Sequence, residues 1–302
     1  MTNKIDWTKY PKYDWDNLPD PGKMLKPVKN NISIMKVGIR NFVSPIDVVR
    51  KDGEAFRGKG TFSCYVSLKE HLKGTHMSRL AQVIQEVTLN RKIDNETLLH
   101  IADELLSKVD TDQAYLKVKF EYPLKQQSLK SLNKETGEAN FGWMYYPVEI
   151  DLQKNSQGKT TAHCSIEYLY SSLCPCSFMM SEHWRTETGH PAGPHSQRSK
   201  MKTKVEFDLN SDFHIEDLIA HHREAIKTEV LGSIVKREDE LSFAVLNAQQ
   251  PMFVEDAVRY MHDQLDRDNQ VLDFVCVGNH FESLHDHDAT AIVHKGIEGG
   301  LK

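Results

Sequence analysis

Residues 115–122, YLKVKFEY, put Leu116, Val118, Phe120 and Tyr122 on one side of an extended chain and Lys117, Lys119 and Glu121 on the other. Alternation with a period of two is the pattern of a strand with one face in a core and the other in water. Upstream, MSRLAQVIQEV (77–87) and NETLLHIADELLSKV (95–109) carry helical periodicity, and Asp94 or Asn95 is available to cap the second. Before these helices, ISIMKVGIRNFV (32–43) and TFSCYVSL (61–68) read as strands joined by the Gly- and Lys-rich turn KDGEAFRGKG (51–60). Downstream, the polar connection SLKSLNKETGEANFG (128–142) leads to strands WMYYPVEIDLQ (143–153) and TAHCSIEYLYSS (161–172), with KNSQGK (154–159) as a turn.

The second half follows the same order. KTKVEFDL (202–209) is a strand, and HIEDLIAHHREAIKTEVLG (214–232) reads as a helix ending at Gly232. MFVEDAVRYMHDQLDRD (252–268) is a helix with Val254, Ala257, Val258, Met261 and Leu265 on one stripe, and QVLDFVCVGNHFESL (270–284) and HDATAIVHK (287–295) close the unit as strands. The pattern is ββ-αα-ββ twice, an α+β arrangement without the strict βα alternation of a doubly wound sheet. It divides the chain into an N-terminal arm (1–31), a first module (32–150) and a second module (151–302).

Composition bounds what these modules do. The 302 residues are 39% hydrophobic and 27% charged, as in a globular protein, and the formal charge of −5 gives no global reason to expect nucleic acid. The first thirty residues contain no apolar run resembling a signal peptide, and no stretch approaches a membrane span, so a cytoplasmic location with no membrane partner is expected. Five cysteines, an odd number, argue against a disulfide framework, and Cys64, Cys164 and Cys276 sit in strand-like runs as small buried hydrophobes.

The chemistry gathers in SSLCPCSFMMSEHWRTETGHPAGPHSQRSK (171–200), read as one long loop. The C-x-C spacing of Cys174 and Cys176 grips a tetrahedral metal poorly, so only one of the two thiols is expected to be active. A thiolate and an imidazole suit zinc, iron or manganese if further ligands come from elsewhere. KREDELSF (236–243) offers Glu238 and Glu240 between a helix and a strand-like run, against a default of solvated charge. FESLHDHDA (281–289) offers Glu282, His285 and His287, the two histidines sharing a face if extended. Glu255 lies in the first turn of a helix, where complementing the helix dipole is the ordinary explanation. His76 and Arg79 stand where a loop enters a helix and an anion could meet backbone N–H groups.

Together, LCPCS…GPHSQRS, KGTHMSRL, KREDE, FVEDAVR and HFESLHDHDA resemble the type IB GTP cyclohydrolase I family from about residue 32 onward. The resemblance implies a tunnelling fold of two tandem ββααββ modules with antiparallel sheets, closed into a barrel by oligomerisation, with a homotetramer as the expected assembly. It implies metal ligation by Cys174, His195 and Glu240, a guanine-anchoring carboxylate at Glu255 and active-site histidines at His285 and His287. His76, Arg79, Gln197 and Arg198 become candidates for holding GTP, with Lys73 and Lys200 as further cations for the triphosphate. The implied reaction opens the guanine imidazole ring to give 7,8-dihydroneopterin triphosphate and formate, with a divalent zinc, manganese or iron ion. One departure is the segment between Cys176 and His195, longer than the family's and carrying His183 and His190. A family variant with a cyclic phosphate product or changed nucleotide, and a catalytically silent pterin- or purine-binding protein, are the alternatives. A zinc nucleobase deaminase is disfavoured because H-x-E…P-C-x-x-C is absent.

Overall fold

The computed structural model describes residues 5–12, 14–19, 32–90 and 92–302. Most of the arm expected over 1–31 lies outside the described residues, and its described parts are exposed and include two short 3-10 turns at Trp7–Lys9 and Trp15–Asn17. The strands are β1 (Ile34–Val49), β2 (Ala55–Leu68), β3 (Lys92–Ile93), β4 (Gln113–Leu132), β5 (Ala139–Asn155), β6 (Thr160–Leu173), β7 (Ser196–Phe207), β8 (Val271–His280) and β9 (Ala289–His294). The helices are α1 (Met77–Asn90), α2 (Asn95–Lys108), α3 (Pro175–Thr188), α4 (Ile215–Ala225), α5 (Arg237–Gln249) and α6 (Val254–Asp266).

All the strands join one sheet in the order β3-β1-β2-β4-β5-β6-β7-β8-β9, antiparallel except for the short β1–β3 pairing. The boundary expected at 150/151 falls inside β5, whose register with β6 runs from Val148↔Ile166 to Lys154↔Thr160. The two modules are thus halves of a continuous sheet.

One face of the sheet is apolar and covered by helices. Phe62, Val118, Ile150, Cys164, Val205 and Phe274 are buried there, and α1, α2, α4 and α6 bring Leu80, Ile84, Ile101, Leu105, Leu218, Met261 and Leu265 onto it. Each such side chain contributes roughly 1.5–3 kcal/mol by leaving water. The α6 stripe read from the sequence (Val254, Ala257, Val258, Met261, Leu265) is buried in full. Cys64, Cys164 and Cys276 are buried as expected, and burial pushes their thiols up to about 12, so none is a thiolate at neutral pH. The other face is polar, with Lys117 Nζ 3.2 Å from Asp151 and Lys119 Nζ 2.8 Å from Glu149.

The helix expected over 214–232 stops at Ala225. Beyond it, backbone bonds leave the helix for the sheet: Ser171 donates to the Thr228 carbonyl at 2.8 Å and Val230 donates to Leu169 at 3.2 Å. The segment enters the split where β5 diverges from β6. Glu229 fixes it there, accepting from Gln126 Nε2 (3.0 Å), Arg223 Nε (2.9 Å) and the Tyr146 hydroxyl. Fit is tightest at Gly142, where a Cβ would stand 1.9 Å from the Gly232 carbonyl oxygen.

His222 is a satisfied core histidine on α4, 0% exposed, with Nε2 2.9 Å from Thr203 Oγ1 and Nδ1 2.7 Å from the Leu218 carbonyl. Burial pushes its pKa down to about 4 against the pull of that carbonyl. An unfolded histidine titrates near 6.5, so the stability contributed by the neutral ring is complete above about pH 6.5 and lost as pH falls toward 4. The expected slope from this one group is about 1.4 kcal/mol per pH unit. His222→Gln keeps a neutral donor and acceptor, and should flatten the pH dependence of urea unfolding by about one proton over that window. Equal slopes in the two proteins would remove His222 from the account.

Candidate active site

The chemistry-bearing residues collect at the end of the sheet where β6 and β8 finish and β7 begins. Cys174 follows the last residue of β6 and is the N-cap of α3, with Pro175 at the first helical position. Proline is suited to that place because its φ is preset and no N–H is needed there. The stretch read as a long loop is therefore mostly helix, from Pro175 to Thr188. It ends at Gly189, whose φ of 71° is a left-handed cap and whose N–H donates to the Arg185 carbonyl at 2.9 Å. A narrow apolar stripe hid this helix: Ser181 is its buried residue, while Met179, Met180 and Trp184 are exposed. His183 and His190 are exposed too.

After α3 the chain returns to its start. The Cys174 N–H donates to the His195 carbonyl at 3.4 Å, and the His195 N–H donates to Ser177 Oγ at 3.0 Å. Thiol and imidazole are thereby carried on adjoining strand ends. Cys174 is half-buried and Cys176 exposed, so the two thiols occupy different environments.

Cys174 lines a cavity of about 360 Å³ with Met252, Phe253, Val254, Glu255, His280, Glu282, Ala289 and Thr290. Glu255 is in the first turn of α6, but the helix start is served by its neighbour: Asp256 Oδ2 accepts the Phe253 N–H at 3.2 Å. Glu255 is left on the cavity wall. His280 was not singled out from the sequence, although a histidine on the buried side of a strand's last residue was the available signal. It is 2% exposed, with Nε2 2.9 Å from the Tyr170 hydroxyl, and burial lowers its pKa to about 4 despite nearby Glu255. Glu282 stands between two imidazoles, 3.8 Å from His280 Nδ1 and 3.6 Å from His195 Nδ1.

Glu240 lies on α5, not between a helix and a strand as the sequence reading had it. Asp239 anchors the helix start: Oδ1 accepts from Lys130 N (2.8 Å) and Ser131 N (3.0 Å), and Oδ2 accepts from Lys236 N (2.9 Å). Burial alone would raise this carboxyl's pKa, yet those hydrogen bonds hold it well below the usual range. Glu240 lines a second cavity, of about 400 Å³, with Ser171, Ser196, Gln197, Arg198 and Phe243. Cys174 and His195 are thus neighbours, whereas Glu240 is on the wall of the adjoining cavity. Among the described residues no three His, Cys, Asp or Glu side chains converge as a metal cluster. The donor types still fit a borderline divalent cation, since a thiol and an imidazole are carried by two residues joined through a backbone hydrogen bond, and Glu240 lines a cavity with Ser196 and Gln197.

His285 and His287 lie on the exposed turn after Glu282, their rings stacked with centroids 4.8 Å apart. They sit beside the cavity rather than among its lining residues. His76 and Arg79 are elsewhere. β2 is antiparallel to β4, so the end of β2 lies level with the start of β6, at the opposite end of the sheet from Cys174. Arg79 there donates from Nη1 to the Lys108 carbonyl at 3.1 Å. Of the further cations, Lys200 pairs with Glu167 at 3.1 Å and Lys73 is exposed. A larger cavity of about 840 Å³ opens over β2, β4 and β5 on the polar face, lined by Arg57, Lys59, Lys119, Glu121 and Glu149. None of the candidate site residues read from the sequence lines it, so size does not mark the chemistry here.

Among solved structures, uricase from Arthrobacter globiformis resembles this chain with a TM-score of 0.53, covering 88% of this chain and 95% of that one. At 6% identity that likeness concerns the fold alone, and it agrees with the tunnelling architecture. The sequence matches the family described as type I GTP cyclohydrolase folE2 over residues 23–291. "GTP cyclohydrolase FolE2" of Ruegeria pomeroyi is 36% identical over 284 residues, 92% of this chain and 74% of that protein. The protein of the same name from Dinoroseobacter shibae is 36% identical over 291 residues, 93% of this chain and 75% of that protein. Among the described residues no helix is long and apolar enough to cross a membrane. The chain belongs to the type I GTP cyclohydrolase FolE2 family.

Proposed function

We propose that this protein is a type IB GTP cyclohydrolase I that opens the imidazole ring of GTP and releases C8 as formate. The observation that carries the reading is the cavity shared by Cys174 and Glu255, with Asp256 taking the helix-start role that would otherwise explain Glu255. A carboxylate there accepts from the guanine N1–H and 2-amino group, and rejects adenine, which offers no such donor pair. His285 or His287 protonates N7, which makes C8 electrophilic and assists C–N cleavage. Arg198 supplies positive charge for the triphosphate.

Cys174, His195 and Glu240 are the proposed ligands of a zinc, manganese or iron ion. Such an ion, when bound, lowers the pKa of a water toward neutrality and so supplies a nucleophile. His76 and Arg79, at the far end of the sheet, can reach GTP only from a second copy of the chain. A homotetramer that pairs the β9 edge with the opposite edge, formed by β3 and the part of β1 that β3 leaves uncovered, would close the barrel and bring copies together.

Incubation with GTP and each of the three metals, following formate and the fluorescence of the oxidised pterin, tests the activity. Equimolar formate and pterin are expected. Failure to form either product, with GTP and metal bound, would favour the silent binding protein.

A further inference from the structure

We infer that Gln197 is a positioning residue for His195, holding the imidazole as its Nδ1–H tautomer and leaving Nε2 as the lone-pair nitrogen. The inference rests on the proposed role of His195 as a ligand and gives Gln197 a task other than holding GTP.

Glu282 faces the protonatable edge of the ring. Its Oε2 is 3.6 Å from His195 Nδ1, and a carboxylate can accept a proton but has none to give. The imidazole proton is therefore favoured on Nδ1. Gln197 Oε1 is 3.2 Å from the same nitrogen, and a carbonyl oxygen likewise only accepts. A serine hydroxyl at the other end of the amide serves either orientation, so it is Glu282, by drawing the proton to Nδ1, that turns the amide oxygen toward the ring. Gln197 Nε2 donates to Ser172 Oγ at 2.7 Å, and Ser172 Oγ is 2.7 Å from Ser199 Oγ. Both serines are 0% exposed, so no water is available to replace a partner. Register supports the same arrangement: Ser172 pairs with Gln197, and Tyr170 with Ser199, on alternate rungs of β6 and β7, which puts the four side chains on one face. Backbone bonds of the sheet thus hold a row of polar side chains that ends on His195.

The consequence is a fixed ring with one nitrogen prepared to ligate. Partners of this kind orient metal-binding histidines, and losing one typically costs about 10–100-fold in metal affinity. The Gln197 oxygen and one of its two N–H groups are engaged by His195 and Ser172, so the amide is oriented within the protein and keeps a single N–H for any other contact.

The test uses the full-length protein labelled with 15N-histidine, wild type and the variants Gln197→Leu and Gln197→Glu. Long-range proton–nitrogen correlation on the metal-free protein reads the tautomer, with the His195 signal identified by its loss in His195→Asn. The expected result is Nδ1–H in the wild type; Nε2–H would overturn the inference. Titration with Co2+, followed by its thiolate absorption, should show affinity reduced about 10–100-fold in Gln197→Leu. Gln197→Glu keeps an acceptor against Nδ1–H and should stay close to wild type. Equal losses in both variants would mean packing rather than the acceptor matters, against the inference. Unchanged Co2+ binding in Gln197→Leu with a raised KM for GTP would make Gln197 a substrate contact, also against it. Absence of thiolate absorption in wild type would overturn the metal reading instead, while the tautomer measurement would still decide Gln197.

Discussion

Cys174→Ala is expected to abolish binding of the proposed divalent cation and to lower formate release from GTP by about 10³-fold or more, because the uncatalysed alternative draws on water with a pKa of 15.7 rather than about 7. The expectation follows from where the thiol sits. Cys174 is half-buried at a strand end, its backbone is bonded to His195, and its side chain is on the cavity wall that also carries Glu255. It has a soft donor atom that an alanine lacks and a water cannot match. Little else should change. The residue makes no side-chain cap bond to α3, and the first turn of that helix is already set by Pro175 and by Phe178 N–H donating to the Cys174 carbonyl at 2.9 Å, which any residue provides. Metal content by elemental analysis and a thermal melt, measured beside the formate assay, separate the possibilities. Full metal content and activity in the alanine variant would remove Cys174 from the ligand set. Lost activity with a collapsed melt would reassign it to folding.

The fold was legible wherever a segment had one apolar face. The alternation of Leu116, Val118, Phe120 and Tyr122 and the stripe of Val254, Ala257, Val258, Met261 and Leu265 became buried faces because one surface covers each of them. The sequence misled where an element is held by something other than an apolar stripe. α3 has a single buried residue, Ser181, and is defined by its ends, Pro175 and Gly189. α5 begins where Asp239 meets the backbone of β4, a partner more than a hundred residues away. The 226–232 segment has helix-compatible residues, yet Glu229 finds better partners in Gln126, Arg223 and Tyr146 than a helix surface would give it.

The candidate site divides in the same way. Motifs named Cys174, His195 and Glu255, and these lie at one end of the sheet because β6, β7 and α6 begin or end there. Motif reading does not reveal which end of a sheet a residue occupies, and so His76 and Arg79 were grouped with residues from which the register separates them. His280 was missed for the opposite reason. It reads as one more inward-facing residue of β8, and only its place beside Tyr170 and Glu282 distinguishes it.

Glu255→Gln should raise the KM for GTP tenfold or more and leave the melting temperature nearly unchanged. Two explanations of this residue make opposite forecasts. A carboxylate that only complements the N-terminus of α6 would contribute about 0.3–1 kcal/mol to stability, and its loss would leave substrate binding alone. That task is already carried by Asp256, which accepts the Phe253 N–H at 3.2 Å. Glu255 instead faces a cavity whose walls include Val254, Met252 and the buried His280, a setting in which a mismatched hydrogen bond is not repaired by water. Glutamine has nearly the same shape, but one acceptor becomes a donor opposed to the guanine N–H groups. Such a mismatch costs about 1–3 kcal/mol, and at about 1.4 kcal/mol per decade this is roughly ten- to a hundredfold in affinity. Inosine triphosphate sharpens the test, since it lacks the 2-amino group. With wild type it should bind more weakly than GTP, and with Glu255→Gln the gap between the two nucleotides should narrow. An unchanged KM together with a lowered melting point would return Glu255 to the helix terminus and leave the guanine edge to be read by some other group on the cavity wall.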